Sequence, residues 1–385
     1  MKTIIYDFSG IRAPLTGIGR YATELIRPRN EHNYPVSIFW KQREYSNQDR
    51  WELIHSLEMP SNLRSTTVRN CLGKTPFSRS LIRIARRSAF QRLAVSHLQN
   101  GAICHDINYG FNPGEGAQIT TVYDLSHLHF PKTHPKNRVR FLENYFNKLV
   151  NSDCHIITIS NTIETELVGD LGISSDRITV TPLAADMKFR PYPVQDVQTM
   201  LQQYRLNHSA YTLSVGTLEP RKNLATTIEA FCALDTDLQK KYPLVIIGAA
   251  GWKSKTLEQL TKKLEDQGRI RMLGYVPQKD LPFLYAGATA FVYPSLYEGF
   301  GLPVLEAMQC GCPVITSNSG ALSEICGDGG IQIESTDHDQ LASHLACLLN
   351  DSEFRSQQSK AALRRAKAFS WSATIEKTHA IYEEL

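Results

Sequence analysis

Short apolar runs alternate with amphipathic stretches along most of the chain, and their order carries the first conclusion. Residues 2–8 form an apolar-rich run of strand type, followed by a loop over 9–19 that holds Pro14, Gly17 and Gly19. Residues 20–26 have helical spacing and stop before Pro28, and 35–40 read as a second strand. From there to about residue 103 the pattern is irregular. Strands resume at 118–124, 154–160 and 178–183, with helical material at 138–150 and 162–171 between them. Strands separated by helices imply a parallel α/β sheet. Pro191 and Pro193 then punctuate the chain and suggest a linker near 186–207.

The second half alternates more regularly. Strands are expected at 211–216, 244–248, 270–274, 290–294, 314–317 and 331–333, with helices at 224–233, 256–266, 281–286, 304–310 and 321–325. This is a doubly wound unit of about 150 residues, a usual domain size. Residues 337–385 are nearly all helical, and no repeat or low-complexity tract interrupts the chain. A length of 385 residues points to two domains.

Composition narrows the class. Apolar content of 42% and charged content of 21% are those of a globular enzyme. Lys2 and Asp7 enclose too short an apolar run for a signal peptide, and no run of about 18 apolar residues offers a membrane span. The eight cysteines are scattered, and Cys310-Gly311-Cys312 alone is a poor metal site, so reduced thiols and a cytoplasmic setting are expected. The net charge of +4 is unevenly spread: residues 1–185 hold 22 Lys and Arg against 16 Asp and Glu, the rest 20 against 22. No acid occurs between Glu58 and Asp106, where Arg64, Arg69, Lys74, Arg79, Arg83, Arg86, Arg87 and Arg92 lie. Phe77, Leu81, Ile84 and Ala85 form a short helical stripe within this basic stretch. It suits an anionic membrane surface or a lipid-linked diphosphate; a solvated basic helix is the plainer alternative.

Candidate chemistry centres on Tyr297-Glu298-Gly299-Phe300-Gly301-Leu302-Pro303-Val304-Leu305-Glu306. It reads as strand, tight loop and helix, with Pro303 at the first helical position. Free amides at such a start attract anions, and glycines let a phosphate come close. Glu298 and Glu306 bracket this place, and carboxylates accept hydrogen bonds from sugar hydroxyls. Amides for a diphosphate and carboxylates for sugar and ribose describe a nucleotide-sugar pocket. Arg221 and Lys222, in Glu219-Pro220-Arg221-Lys222-Asn223 after another strand, are placed to neutralise a leaving diphosphate. Gly17-Ile18-Gly19-Arg20-Tyr21-Ala22 matches a dinucleotide fingerprint poorly: it stands far from its strand, and no acid follows the second strand. A nicotinamide dehydrogenase is thereby disfavoured, while a phosphate-binding loop remains. Asp124 or His127, at the end of a strand, could face a reacting sugar. The triplets Asp235-Thr236-Asp237 and Asp337-His338-Asp339 lie between helices and read as helix caps, so no metal and no cofactor is expected.

Taken together these residues resemble glycosyltransferase family 4, retaining enzymes of GT-B fold. Glu298 and Glu306 stand where that family has the two acids of its E-x7-E motif, and the likeness runs from Gly17-Ile18-Gly19-Arg20-Tyr21 through Ile159-Ser160-Asn161 and Leu273-Gly274-Tyr275-Val276 to Gly311. The resemblance implies two Rossmann-like doubly wound domains facing across a cleft, an acceptor domain at 1–190 and a donor domain at 205–369, with a C-terminal helix over 370–385 crossing back. It implies Glu306 on the donor ribose, Glu298 and the amides of Phe300 to Leu302 on the transferred sugar and phosphates, and Arg221 and Lys222 on the diphosphate. Two departures matter. Thr217 stands where many members have arginine, and Tyr123 where many have the sugar-contacting histidine, which raises the interest of Asp124 and His127. Within the family the motifs look most like bacterial mannosyltransferases of O-antigen assembly. The expectation is transfer from GDP-mannose to a lipid-linked saccharide at the inner membrane face, with no nucleic-acid partner. Another sugar nucleotide such as UDP-glucose or UDP-GlcNAc, or a non-catalytic sugar-nucleotide binding protein, is the alternative.

Overall fold

The computed structural model describes residues 1–12, 15–28, 34–41, 43–58, 90, 94–110, 118–248 and 255–385. Most of the basic stretch of 64–92, with its apolar stripe, lies outside the described residues. Two sheets organise the rest. The first contains β1 (Ile4–Asp7), β2 (Val36–Trp40), β3 (Arg43–Tyr45), β4 (Ile103–Asp106), β5 (Ile119–Val122), β6 (His155–Thr158) and β7 (Ile178–Val180), in the order β3-β2-β1-β4-β5-β6-β7. Only the edge strand β3 is antiparallel to its neighbour. The second contains β8 (Thr212–Val215), β9 (Leu244–Ile247), β10 (Ile270–Gly274), β11 (Ala290–Tyr293), β12 (Val314–Ser317) and β13 (Ile331–Ile333), all parallel, in the order β10-β9-β8-β11-β12-β13. Buried valine, isoleucine, leucine and aromatic residues fill the central strands, as expected where helices cover both faces.

Both sheets reverse strand order at one point, between β1 and β4 in the first and between β8 and β11 in the second. Ligands of such sheets bind beyond the carboxyl ends of the strands at that reversal. The loops that follow β8 and β11 carry Arg221-Lys222 and Glu298–Gly301, so the topology brings the two motifs together.

Four local features depart from the sequence pattern. Strand β4 begins where the region read as irregular ends and was not expected, because His105 and Asp106 are polar; both are buried, with His105 bonded to Tyr382 and Thr121 at 2.6 and 2.7 Å. The first helix begins at Gly17, not Arg20, so the glycine pair forms its opening turn. Helix Leu302–Gln309 places Pro303 second, not first. Residues expected as a linker include helix Val194–Leu201, whose Val197 and Leu201 are buried, one turn apart on the same face, and which packs on helix Leu281–Ala286 of the second unit.

The last helix, Trp371–Glu384, returns to the first unit. Ser370 Oγ caps it by accepting from Ala373 N at 3.2 Å. Tyr382 reaches Tyr6 at 2.8 Å, Tyr34 donates to Glu383 Oε1 at 2.9 Å, and Thr374 donates to the Pro182 carbonyl at 2.5 Å.

Candidate active site

Asn223 fixes the donor half of the cleft. Its backbone is left-handed (φ 56°), and its side-chain amide donates to the carbonyls of Pro294 at 3.0 Å and Ser335 at 2.6 Å. The Arg221 carbonyl accepts from Leu296 N at 2.8 Å. These bonds lock the loop after β8 to the loop after β11 and seat the cations on Glu298. Lys222 Nζ bonds Oε1 at 2.5 Å, Tyr293 and Ser295 each donate to the same oxygen at 2.8 Å, and Arg221 Nη1 lies 3.3 Å from Oε2. Burial alone would raise the Glu298 pKa, but Lys222 and Arg221 draw it down to about 2. Glu298 is thus an anion throughout the physiological range, with Oε2 the less crowded oxygen.

Two helix starts meet above this pair. Helix Leu302–Gln309 follows Gly301 at φ 108°, and helix Gly17–Ile26 follows Thr16; neither preceding residue caps its helix with a side chain. A Cβ on Gly17 would come within 3.1 Å of Leu302 Cδ1, so the two starts face each other closely. Free N–H groups at each start carry the positive end of a helix dipole. Gly299 brings the domains into backbone contact: a Cβ there would lie 1.8 Å from the Tyr123 carbonyl oxygen. Ser160 Oγ donates to the Gly299 carbonyl at 2.8 Å. Phe300 offers only its backbone, since its ring is buried edge-on against Phe369 at 5.9 Å. Gly17, Gly299, Phe300, Gly301 and Leu302 therefore fall in one neighbourhood, with Arg221 and Lys222 beside them, while Gly19 is buried and faces Leu15 and Ile11 of its own unit.

Glu306, on the same helix, is buried between both domains. Its Oε1 is paired with the Arg20 guanidinium, and its Oε2 accepts from Tyr285 OH at 3.3 Å. Burial would lower the Arg20 pKa, yet Glu306 more than offsets this and raises it. Arg20 went unnoticed in the sequence, although an arginine one residue past the glycine pair, within the first helical turn, sits beside any anion held there. It also lines a cavity of about 520 Å³ between the domains, walled by Tyr275, Pro277, Gln278 and Lys279 on one side and Thr23, Glu24 and Arg27 on the other.

The two candidates after β5 separate. Asp124 lies against the glycine loop, 3.0 Å from where a Gly299 Cβ would be, and its Oδ1 accepts from Ser126 N and Oγ. His127 is 2% exposed, stacked on Phe146 at 4.8 Å, and burial lowers its pKa to about 4. The structure brings Asp124 to the cleft and leaves His127 in the first domain's core. Tyr123 is buried as well and donates to the Ile107 carbonyl at 2.9 Å. Among the described residues no group of three His, Cys, Asp or Glu side chains could hold a metal ion. Asp337 caps helix His338–Asn350, accepting from Gln340 N at 2.8 Å, and Asp235 precedes the short helix Thr236–Lys241.

The family model described as glycosyl transferases group 1 matches residues 196–365. An Escherichia coli O-antigen chain mannosyltransferase B is 34% identical, the match covering 99% of this chain and 100% of that one. The chain belongs to the group 1 glycosyl transferases. A Salmonella typhimurium O-antigen chain mannosyltransferase is 28% identical to this glycosyltransferase over 57% of each. Solved structures agree on the fold. WaaG, a glycosyltransferase involved in lipopolysaccharide biosynthesis, superposes with a TM-score of 0.70 at 16% identity over 99% of each chain. Anabaena HepE in complex with UDP and glucose gives 0.71 at 14% over 100% of each. This glycosyltransferase therefore has the two-domain GT-B architecture, with the C-terminal helix crossing back to the first domain. Among the described residues no helix is long and apolar enough to cross a membrane.

Proposed function

We propose that the chain transfers mannose from GDP-mannose to a lipid-linked saccharide in O-antigen assembly, with retention at the anomeric carbon. One observation carries the reading: two uncapped helix starts face each other across the cleft, flanked by Arg221 and Lys222, by Glu298 and by the buried Glu306. The diphosphate sits between the helix starts, where amides and the two cations meet its charge. Glu306 accepts from the ribose hydroxyls, which directs the base into the cavity beyond Arg20. Gln278 offers that base both a donor and an acceptor. Glu298 Oε2 and Asp124 take hydroxyls of the transferred sugar. The domain at 1–190 presents the acceptor, and the unit at 205–369, extended by helix Val194–Leu201, holds the donor.

The bond from the sugar C1 to the diphosphate oxygen breaks, and the acceptor oxygen bonds to C1 on the same face. The acceptor proton passes to the departing diphosphate oxygen. Arg221, Lys222 and the helix-start amides stabilise the charge that grows on that oxygen. No protein nucleophile is required by this route. The basic stretch of 64–92 holds the enzyme on the anionic inner face of the membrane. The similarity to the Escherichia coli and Salmonella O-antigen mannosyltransferases supports the choice of donor and pathway. Transfer of radiolabel from a panel of sugar nucleotides to lipid-linked acceptors tests it: mannose from GDP-mannose is the expected product. Efficient transfer of another sugar with none of mannose would refute the donor assignment.

A further inference from the structure

Behind Asp124, after β5, stand Ser126 and His134, which the donor site described above does not use. Ser126 places both of its donors on one carboxylate oxygen, its N–H at 3.0 Å and its hydroxyl at 2.7 Å from Asp124 Oδ1. A serine hydroxyl has a single proton, and here it is committed to Asp124. Towards His134 Nε2, at 2.9 Å, Ser126 Oγ is therefore an acceptor, and the histidine carries its proton on Nε2. The other carboxylate oxygen, Asp124 Oδ2, has no hydrogen-bond partner among the described residues.

The placement gives these residues a use. Asp124 abuts Gly299, one of the residues at which the two domains touch. His134 is half-buried, and it is acted on by Arg138 from its own domain and by Arg221 and Glu219 across the cleft. Burial, with Arg138 and Arg221, lowers its pKa against the opposing pull of Asp124 and Glu219. An aspartate carboxylate turns easily about its last torsion. Two donors on one oxygen stop that rotation.

We infer that Ser126 and His134 are positioning residues for Asp124: they hold Oδ1 so that Oδ2 is presented to a hydroxyl of the sugar bound at Gly299. The inference rests on the donor reading above. It gives His134, which carries no motif of its own, a part in transfer that its neighbour His127 cannot play from the core. The effect falls on the rate of transfer and not on nucleotide binding, because these residues touch neither the ribose nor the cavity beyond Arg20.

The test is steady-state transfer by the full-length protein with His134→Ala, His134→Gln, Ser126→Ala and the double variant, together with GDP affinity and thermal unfolding. Each alanine variant should lose about 10- to 100-fold in kcat, the size expected for a reacting group misplaced by roughly 1 Å. GDP affinity should stay within about twofold, and the double variant should be no worse than either single one. His134→Gln should recover most of the rate, since its side-chain amide can present an N–H near the position of Nε2. With one monodeoxy mannose donor, the one lacking the gripped hydroxyl, wild type and His134→Ala should react at similar rates. An unchanged kcat in His134→Ala, equal losses in the alanine and glutamine variants, or a penalty that persists with every deoxy donor would overturn the inference while leaving the donor reading intact. Absence of transfer by the wild-type protein from any donor would overturn both.

Discussion

Replacing Gly299 with alanine should force the two domains apart. The added Cβ would lie 1.8 Å from the Tyr123 carbonyl oxygen and 2.9 Å from its carbon, where ordinary contact begins near 3.4 Å. The obstacle is backbone at the end of β5, a strand paired on both sides by β4 and β6, so it cannot swing aside as a long side chain would. Relief needs about 1.6 Å of separation at this point, the difference between 3.4 and 1.8 Å. The Ser160 bond to the Gly299 carbonyl, at 2.8 Å, and the Leu125 N–H bond to Tyr297 OH, at 2.9 Å, would both stretch past hydrogen-bond range. Overpacking of this kind costs about 1–3 kcal/mol of stability. The larger effect is on rate, because Asp124 and the glycine loop must act on one sugar, and roughly 1 Å of misplacement costs about a hundredfold. Steady-state transfer and small-angle scattering of the free variant measure both effects. The expected result is a kcat lower by about two orders of magnitude and a larger radius of gyration. Transfer within about threefold of wild type would refute the claim that this contact assembles the site.

Three further outcomes follow from the same geometry. The folded-state pKa of Glu298 lies below its ordinary value of 4.5, at about 2, so its ion pairs contribute about 3 kcal/mol that is fully present above pH 4.5 and lost as pH falls towards 2. Urea unfolding of Glu298→Gln should show that deficit at pH 7 and a shrinking one through this window; parallel pH profiles would contradict it. For the reaction, Glu306→Ala should chiefly raise the donor KM and Glu298→Ala chiefly lower kcat, and the reverse pattern would exchange their roles. His127 is held neutral to about pH 4 against an ordinary value of 6.5, so the unfolded chain takes up the proton first and the residue destabilises the fold by up to about 3 kcal/mol as pH falls from 6.5 to 4. His127→Phe should flatten the acid side of the unfolding profile over that interval, and an unchanged slope would show that the ring titrates freely.

Much of the donor half was legible because its signals are local. A strand, a glycine pair, a proline and a helix-forming run specify the turn at Glu298–Leu302 without reference to distant residues. The α/β alternation also places the loops after β8 and β11 on one edge of the sheet, while the adjacency of the two strands is a finding of the structure. Contacts across the cleft were not legible. Arg20 meets Glu306 at a sequence separation of 286 residues, and His134 reaches Asp124 only through Ser126, so no periodicity marks either. His127 illustrates the opposite difficulty. A histidine three residues past a strand-end aspartate has the spacing of a catalytic pair, and only its stacking on Phe146 places it in the core. Strand β4 escaped notice because its polar residues are satisfied from a distance, His105 by Tyr382, 277 positions away, and Asp106 by Tyr145.

Equilibrium binding of GDP-mannose to the purified protein, followed by transfer from the bound donor, tests the central claim most directly. One molecule should bind per chain, Glu306→Ala should weaken that binding, and addition of a lipid-linked saccharide should consume the donor and yield a mannosylated product of retained configuration. Failure to bind GDP-mannose, or an equally tight complex when Glu306 is removed, would contradict the placement of the donor between the two helix starts.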